Sequence, residues 1–362
     1  MTFSGTRYDV AIVGGGIAGA SLAAELAPHA SVVLLEAEEM AGVHATGRSA
    51  AFWSETYGGA AIQPLTALSG ESLRVSGFLK PLGSLHVGRA EDRPRVDRFL
   101  AEFAGTSVEL REVDPAPLVP GLRPEWTLGV SEPSCAYIDV AGLHADRLST
   151  ARRAGAAVMT STGLASATRD EGGWRVETAA GPVSARLLVN AAGAWADEIA
   201  RRASVRPIGI SAYRRTLVQL RTDPPAPADL PHVIDIAGGF YFKPETGSRL
   251  WLSPHDEVPT DPCDAQPEEM DVAIAIDRFE RVVDWRVTAL ERKWAGLRSF
   301  APDRLPVFGF DAAEPAFFWC AGQGGFGIQT APAAAALCAA LILDRPPPAG
   351  LDPQRYVPTR FS

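Results

Sequence analysis

The chain has 362 residues, 46% of them hydrophobic and 21% charged, an ordinary globular composition with length enough for two lobes. Its net charge of −9 argues against nucleic-acid binding and gives no hold on an anionic membrane surface. No apolar run reaches the ~18–20 residues of a membrane span, and no apolar leader precedes the first strand signal. Cys135, Cys263, Cys320 and Cys338 form no C-x-x-C pair, and the six histidines show no metal-ligand or triad spacing. These features predict a cytoplasmic protein, at most peripheral to the inner membrane, with inert thiols, no metal and no transmembrane segment.

In chain order, Tyr8–Val13 is a short β-rich apolar run, Gly14-Gly15-Gly16 breaks it, and Ile17–Leu26 carries Ala and Leu at helical spacing. Ser31–Leu35 is a second buried strand closed by Glu36, which completes a βαβ unit of about thirty residues. Between Lys80 and Glu132 proline and charge rise, and LVPGLRPEW reads as loop. A buried strand returns at Arg186–Asn190, and AAGAWADEIARRA turns from it into a helix. Tyr213–Leu220, Phe240–Lys243 and Leu250–Leu252 read as strands of a different sheet, separated by proline-rich loops at 224–231 and 254–267. Phe317–Cys320 is again a buried strand, followed by the glycine-rich turn Gly322–Thr330 and a last helix. The pattern predicts a two-lobed α/β protein. A discontinuous Rossmann-like lobe takes residues 1–80, 135–210 and 295–362, and a mixed β-sheet lobe with helices takes 81–134 and 211–294.

Gly14-x-Gly16-x-x-Gly19 supplies the turn, the close backbone approach to a pyrophosphate and the tight helix–strand packing of a dinucleotide site. The helix that begins at Ile17 and Ala18 then points free N–H groups at the phosphates. Glu36, followed by Ala37, is placed to accept hydrogen bonds from the adenosine ribose. This fingerprint alone does not separate FAD from NAD.

The segment His44–Ala51 after Glu36 does, since it resembles the stretch beside the pyrophosphate and flavin ring of amine-oxidising flavoproteins. Further motifs match a known family: VGGGIAGAS, TGRSAA, VNAAGAWAD, the Arg214-Arg215 doublet, FYFKP, WAGLRSF and QGGFGIQT. Over nearly its whole length the chain resembles the FAD-dependent D-amino-acid oxidase and dehydrogenase family, and looks closest to the bacterial D-arginine dehydrogenase branch. The resemblance implies non-covalent FAD. It places Thr46, Arg48, Ser49, Ala50 and Ala51 beside the pyrophosphate and flavin ring. Leu164, Ala192, Gly193 and Trp195 become further cofactor contacts. Gly322, Gly324, Gly325, Gly327, Ile328 and Gln329 form the loop that faces the flavin pyrimidine.

On the substrate side the resemblance makes Arg215 the clamp for an α-carboxylate, since a planar guanidinium offers two parallel charge-assisted bonds. Arg298 is a second cation there, Tyr57 and Tyr241 add hydroxyls, and the Gly325 carbonyl holds the substrate amine. Arg214 is expected to point the other way, as a solvated charge. Two departures from the arginine-specific branch matter. Ser84 stands near the place of a glutamate that balances the substrate guanidinium, and Phe52, next to Trp53, replaces a histidine. An unpaired cation against Phe52 and Trp53 is costly, so the expected substrate side chain is neutral and largely apolar. Trp251 falls where oxidase relatives keep an oxygen-activating lysine, which favours a dehydrogenase with an unidentified electron acceptor. The expectation is therefore oxidative deamination of a D-amino acid. A secondary amine, imino acid or 2-hydroxy acid substrate remains open, as does a flavin-holding subunit of an electron-transfer complex.

Overall fold

The computed structural model describes residues 7–361. The strand Arg7–Val13 lies at the heart of an eight-stranded sheet. It pairs in parallel with Val32–Leu35 on one side and Val183–Asn190 on the other. Ala157–Met159 and Phe317–Ala321 extend the parallel set outward. Both faces are covered, as an all-parallel core requires. Val10 and Ile12 turn to a core shared with the helices Ile17–Leu26 and Ala331–Ile342. Ala11 and Val13 turn to the opposite core, built around Trp174, Phe317 and Trp319.

Register brings Val13, Leu35, Asn190 and Trp319 side by side at the carboxyl edge of the sheet. The loops that leave this edge are those carrying the sequence motifs. Ligands of open α/β sheets bind at such an edge.

A second, ten-stranded sheet is built on the long antiparallel pair Ser211–Asp223 and Arg286–Phe300. Alternation sorts its faces. Val218 and Leu220 pack under the helix Glu269–Glu280 with Val272 and Phe279, while Arg215 and Leu217 face the first sheet's carboxyl edge. Arg214 does point away from Arg215, but it is not a solvated charge. It is buried beneath that helix and ion-paired with Glu268 and Asp271. Two acids at the start of the helix thus replace the water expected around it.

Within the 80–132 stretch LVPGLRPEW carries no helix or strand, as expected. The rest of the stretch supplies the strands Ser84–Gly88, Arg111–Val113 and Leu128–Glu132 to the second sheet, with the helix Arg93–Phe103 between. These strands are too short for a periodic signal; Ser84–Gly88 pairs with His232–Asp235, and the other two add to it in turn. A small sheet of Phe52–Trp53, Leu79–Pro81 and Ala136–Ile138 joins the two lobes. None of the described helices is long and apolar enough to cross a membrane. The four cysteines are free, and no metal-binding cluster occurs among the described residues.

Lys243, in the strand Tyr241–Glu245, is 1% exposed and lies over the rings of Trp251 and Tyr137. Burial pulls its ammonium from 10.5 down to about 8, with Glu245 offsetting part of the penalty. The unfolded chain therefore holds the extra proton between those two values, and stability rises with pH through that window. Lys243→Met should raise the thermal midpoint at pH 7, with the gain fading between pH 8 and 10. A gain independent of pH, or a loss, would show that the ammonium is not held at a cost.

Candidate active site

The carboxyl edge of the first sheet and the inner face of the second enclose one cavity of about 420 Å³. At one end lies the Gly14–Gly16 turn. Gly14 has φ +107°, and a Cβ there would sit 2.4 Å from the Ala191 carbonyl oxygen. Gly15 donates its N–H to Glu36 Oε2 at 2.8 Å, and Ile17 donates to Thr46 Oγ1 at 3.0 Å. No side chain caps the helix at Gly16, and its first turn carries no acid. Gly16, Ile17 and Ala18 line the cavity, so the positive end of the helix opens onto it. Across the turn, Asn190 Nδ2 donates to the Ala196 carbonyl and Oδ1 accepts from Ala192 N–H, which sets the 191–195 bend against the cavity.

At the other end Phe52, Tyr57, Arg215, Tyr241, Arg298 and Gly325 converge. Arg215 is 3% exposed. Its Nε donates to the Asp256 carbonyl at 2.5 Å and its Nη2 reaches Glu257 at 3.4 Å, yet Nη1 is buried without a partner. The Tyr241 hydroxyl is likewise buried and unpartnered. A Cβ on Gly325 would lie 2.1 Å from Tyr57 Oη and 2.9 Å from the Arg298 guanidinium, so these groups meet at one point. Burial, and next the charge of Arg298, hold the Arg215 guanidinium below its ordinary value; burial raises the Tyr57 phenol. His255, beside both arginines, is pushed down to about 3 by burial and then by their charges, so it is neutral at pH 7.

All but three of the predicted cofactor residues line the cavity. Gly19 instead packs the helix on the strand, its missing Cβ 2.0 Å from the Gly14 carbonyl. Ala51, at φ 55°, and Gly322, at φ 70°, turn the chain. Arg48 borders the cavity but spends its guanidinium on Asp264 and on the Ala265 carbonyl, tying the loop to the second lobe.

Of the predicted substrate-pocket residues only Phe52 reaches the cavity. Trp53 alternates to the other side and is fully buried with Ile17, Leu73, Ala136 and Ile138, under Arg74. Ser84 is buried in its strand, 3.4 Å from Glu132. Trp251 also misses the cavity; it meets Trp294 edge to face and bonds to Gln219. Sequence reasoning missed Asp256 and Glu257, which reach the site from the loop between two strands, and Glu132, at a strand end; none carries a local motif.

Residues 9–341 match the family described as FAD dependent oxidoreductase. The chain belongs to this family. Mouse (Mus musculus) dimethylglycine dehydrogenase is 29% identical over 97% of this chain, which spans only 44% of that protein. Glycine oxidase of Geobacillus kaustophilus (strain HTA426) is 25% identical, with 93% of each chain covered. The crystal structure of glycine oxidase from that species superposes with a TM-score of 0.84 at 24% identity, covering 98% of this chain and 99% of that one. That of L-proline dehydrogenase from P. horikoshii gives 0.87 at 22% identity, with 98% of each covered.

The residues present fit FAD. The glycine cradle and uncapped helix end suit a pyrophosphate, and the open 322–330 loop suits a flavin edge. Gly14→Ala, which drives a methyl into the Ala191 carbonyl, should yield folded protein with little bound FAD, read as the ratio of flavin to protein absorbance. Full flavin loading in this variant would remove the turn from the cofactor site.

Proposed function

We propose that the protein oxidises a neutral, largely apolar D-amino acid to the 2-oxo acid and ammonia, as a dehydrogenase. The observation that carries this reading is the buried, partnerless Arg215 Nη1 and Tyr241 hydroxyl, on residues that line the same cavity as Arg298, Tyr57 and Gly325. An unmet buried donor costs on the order of 1–3 kcal/mol, and more when charged, so the site is built for an anionic oxygen ligand. An α-carboxylate satisfies both groups at once.

FAD, when bound, supplies the acceptor for the hydride that leaves the substrate Cα. Arg215 and Arg298 hold the carboxylate, with Tyr57 and Tyr241 donating to its oxygens. The Gly325 carbonyl accepts a hydrogen bond from the amine and orients the Cα–H. A neutral amine can release its hydride without an enzymatic base; the ammonium first gives one proton to solvent. The resulting imino acid takes up water and releases ammonia. Phe52, packed on Tyr57 and Tyr241, and Leu217 present an apolar wall to the side chain. None of Lys80, Lys243 and Lys293 lines the cavity, which supports an acceptor other than oxygen.

A second reading is oxidation of a secondary or tertiary amine that carries a carboxylate, with the same clamp. It is favoured by relatives named dimethylglycine dehydrogenase and L-proline dehydrogenase. Anaerobic flavin bleaching with D- and L-amino acids, N-methyl amino acids and 2-hydroxy acids separates them. Bleaching by apolar D-amino acids with ammonia release is expected, and bleaching by N-methyl substrates alone would select the second reading. Admitting air should leave the flavin reduced; rapid re-oxidation would make the protein an oxidase.

Arg215→Ala should keep its FAD yet lose at least about a hundredfold in kcat/KM, since a buried charge-assisted pair is removed. Arg215→Lys should recover only part of the loss, because an ammonium cannot reproduce the two-pronged geometry. Wild-type kcat/KM in Arg215→Ala would rule out the clamp.

A further inference from the structure

The segment Ser54–Tyr57 delivers Tyr57 to the cavity without belonging to a helix or a strand. Ser54, Glu55 and Thr56 are nevertheless buried. Two side chains from distant parts of the chain hold it. From the flavin-facing loop, Gln329 Oε1 accepts from Ser54 N–H at 3.3 Å, and Nε2 donates to the Tyr57 carbonyl at 3.0 Å. From the end of the strand Leu128–Glu132 comes the second holder, Glu132, which is 0% exposed.

Glu132 Oε1 accepts the Glu55 N–H at 2.7 Å, and Oε2 accepts the Thr56 and Ser54 hydroxyls at 2.7 and 2.9 Å. The hydroxyls of Ser84 and Ser134 approach at 3.4 Å. Three consecutive residues of one segment thus donate to a single buried carboxylate. No cation pairs with it among the described ion pairs. An ionised carboxylate accepts at both oxygens and takes all these donors, whereas a protonated one would donate to one of the two hydroxyls, which also bond to each other at 3.1 Å. Burial raises its pKa, while the two hydroxyls and the amide oppose that rise. Neighbouring Glu55 turns its own carboxylate away, to Gln63 Nε2.

We infer that Glu132 is a positioning residue for the carboxylate end of the active site: it fixes Ser54–Thr56, and through them sets the Tyr57 hydroxyl against Arg298 and Gly325, without touching the substrate. The inference rests on the carboxylate reading of that cluster. The clearances there are small, because a Cβ on Gly325 would already lie 2.1 Å from Tyr57 Oη. A shift of Tyr57 by an ångström therefore changes what the two arginines can grip. Ser84, expected to border the substrate, acts here as one of the groups behind Glu132. Gln329 ties the same segment to the flavin loop, so Tyr57 is registered against both halves of the site.

The test uses the FAD-loaded enzyme and the variants Glu132→Gln, Tyr57→Phe and the double variant. Benzoate, a simple monocarboxylate, is titrated against the flavin spectrum, and kcat and KM are measured with the best amino-acid substrate. Glutamine keeps the shape but places an NH2 where two hydroxyls donate. Glu132→Gln should keep its FAD, weaken benzoate about tenfold and raise KM more than it lowers kcat, the signature of a misplaced binding group. In the double variant the effects should not add, since Glu132 acts through Tyr57. If Glu132→Gln does not fold, Thr56→Val removes one donor from the same contact and should show the same coupling to Tyr57→Phe. Additive effects, or unchanged benzoate affinity in both Glu132→Gln and Thr56→Val, would overturn the positioning role alone. A parent enzyme blind to benzoate and to every amino acid would overturn the carboxylate reading and this inference together.

Discussion

Two like charges at one end of a cavity, one buried and one nearly so, are the constraint on which the substrate side of this protein depends. Arg215 is buried in the second sheet, and the charge of Arg298 is already felt in its ionisation. Left alone, such a pair would spread apart or draw in water. The 254–257 segment prevents both. The Asp256 carbonyl takes Arg215 Nε, and the Asp256 carboxylate accepts from the backbone and hydroxyl of Thr216. Glu257 lies 3.4 Å from Arg215 and 3.7 Å from Arg298 while Arg304 grips it from outside. The arginines are thereby held at fixed positions with one face of Arg215 left free.

The two sheets divide the work accordingly. The parallel sheet needs both faces covered, which leaves its carboxyl edge as the place where loops can meet a ligand. The second sheet shows one face to its own helix and the other to that edge. Strict alternation along Ser211–Asp223 puts Arg214 with Glu268 and Asp271, and Arg215 with the cavity. A one-residue slip in the pairing with Arg286–Phe300 would exchange them and reverse the charge pattern on both faces. The buried pattern on both faces of Ser211–Asp223, with Val218 and Leu220 under the helix, specifies the register.

Much of this was legible in the amino-acid order. The Gly14–Gly19 turn, Glu36 and the 322–330 loop are local features, and local backbone demands leave a local trace. The Arg214-Arg215 doublet could be read for opposite faces because strands alternate, though not for the ion pairs that bury Arg214. What stayed hidden depends on distance along the chain. Phe52 and Trp53 are equivalent aromatics in sequence, and only the pairing of their two-residue strand with Ala136–Ile138 sends one to the cavity and the other to the core. Glu132 carries no local signal in sequence, and its role exists only once residues 54–56 fold onto it.

The charge balance at the substrate end carries the reading one step further. Arg215, Arg298 and Arg304 face Asp256 and Glu257, so one positive charge stays uncompensated around the free Arg215 Nη1. A ligand with a single carboxylate neutralises it. A second carboxylate would have to share Arg298 and Arg304 with Glu257, and its desolvation would be poorly rewarded. At the other end of the ligand Phe52 and Leu217 offer no counter-charge, so an extended cationic head is disfavoured as well. On the proposed carboxylate reading, these two limits favour a monocarboxylate whose remaining surface is uncharged, with its amine neutral when the hydride leaves. The same electrostatics that hold the arginines in place thus bear on which protonation state of the substrate reacts.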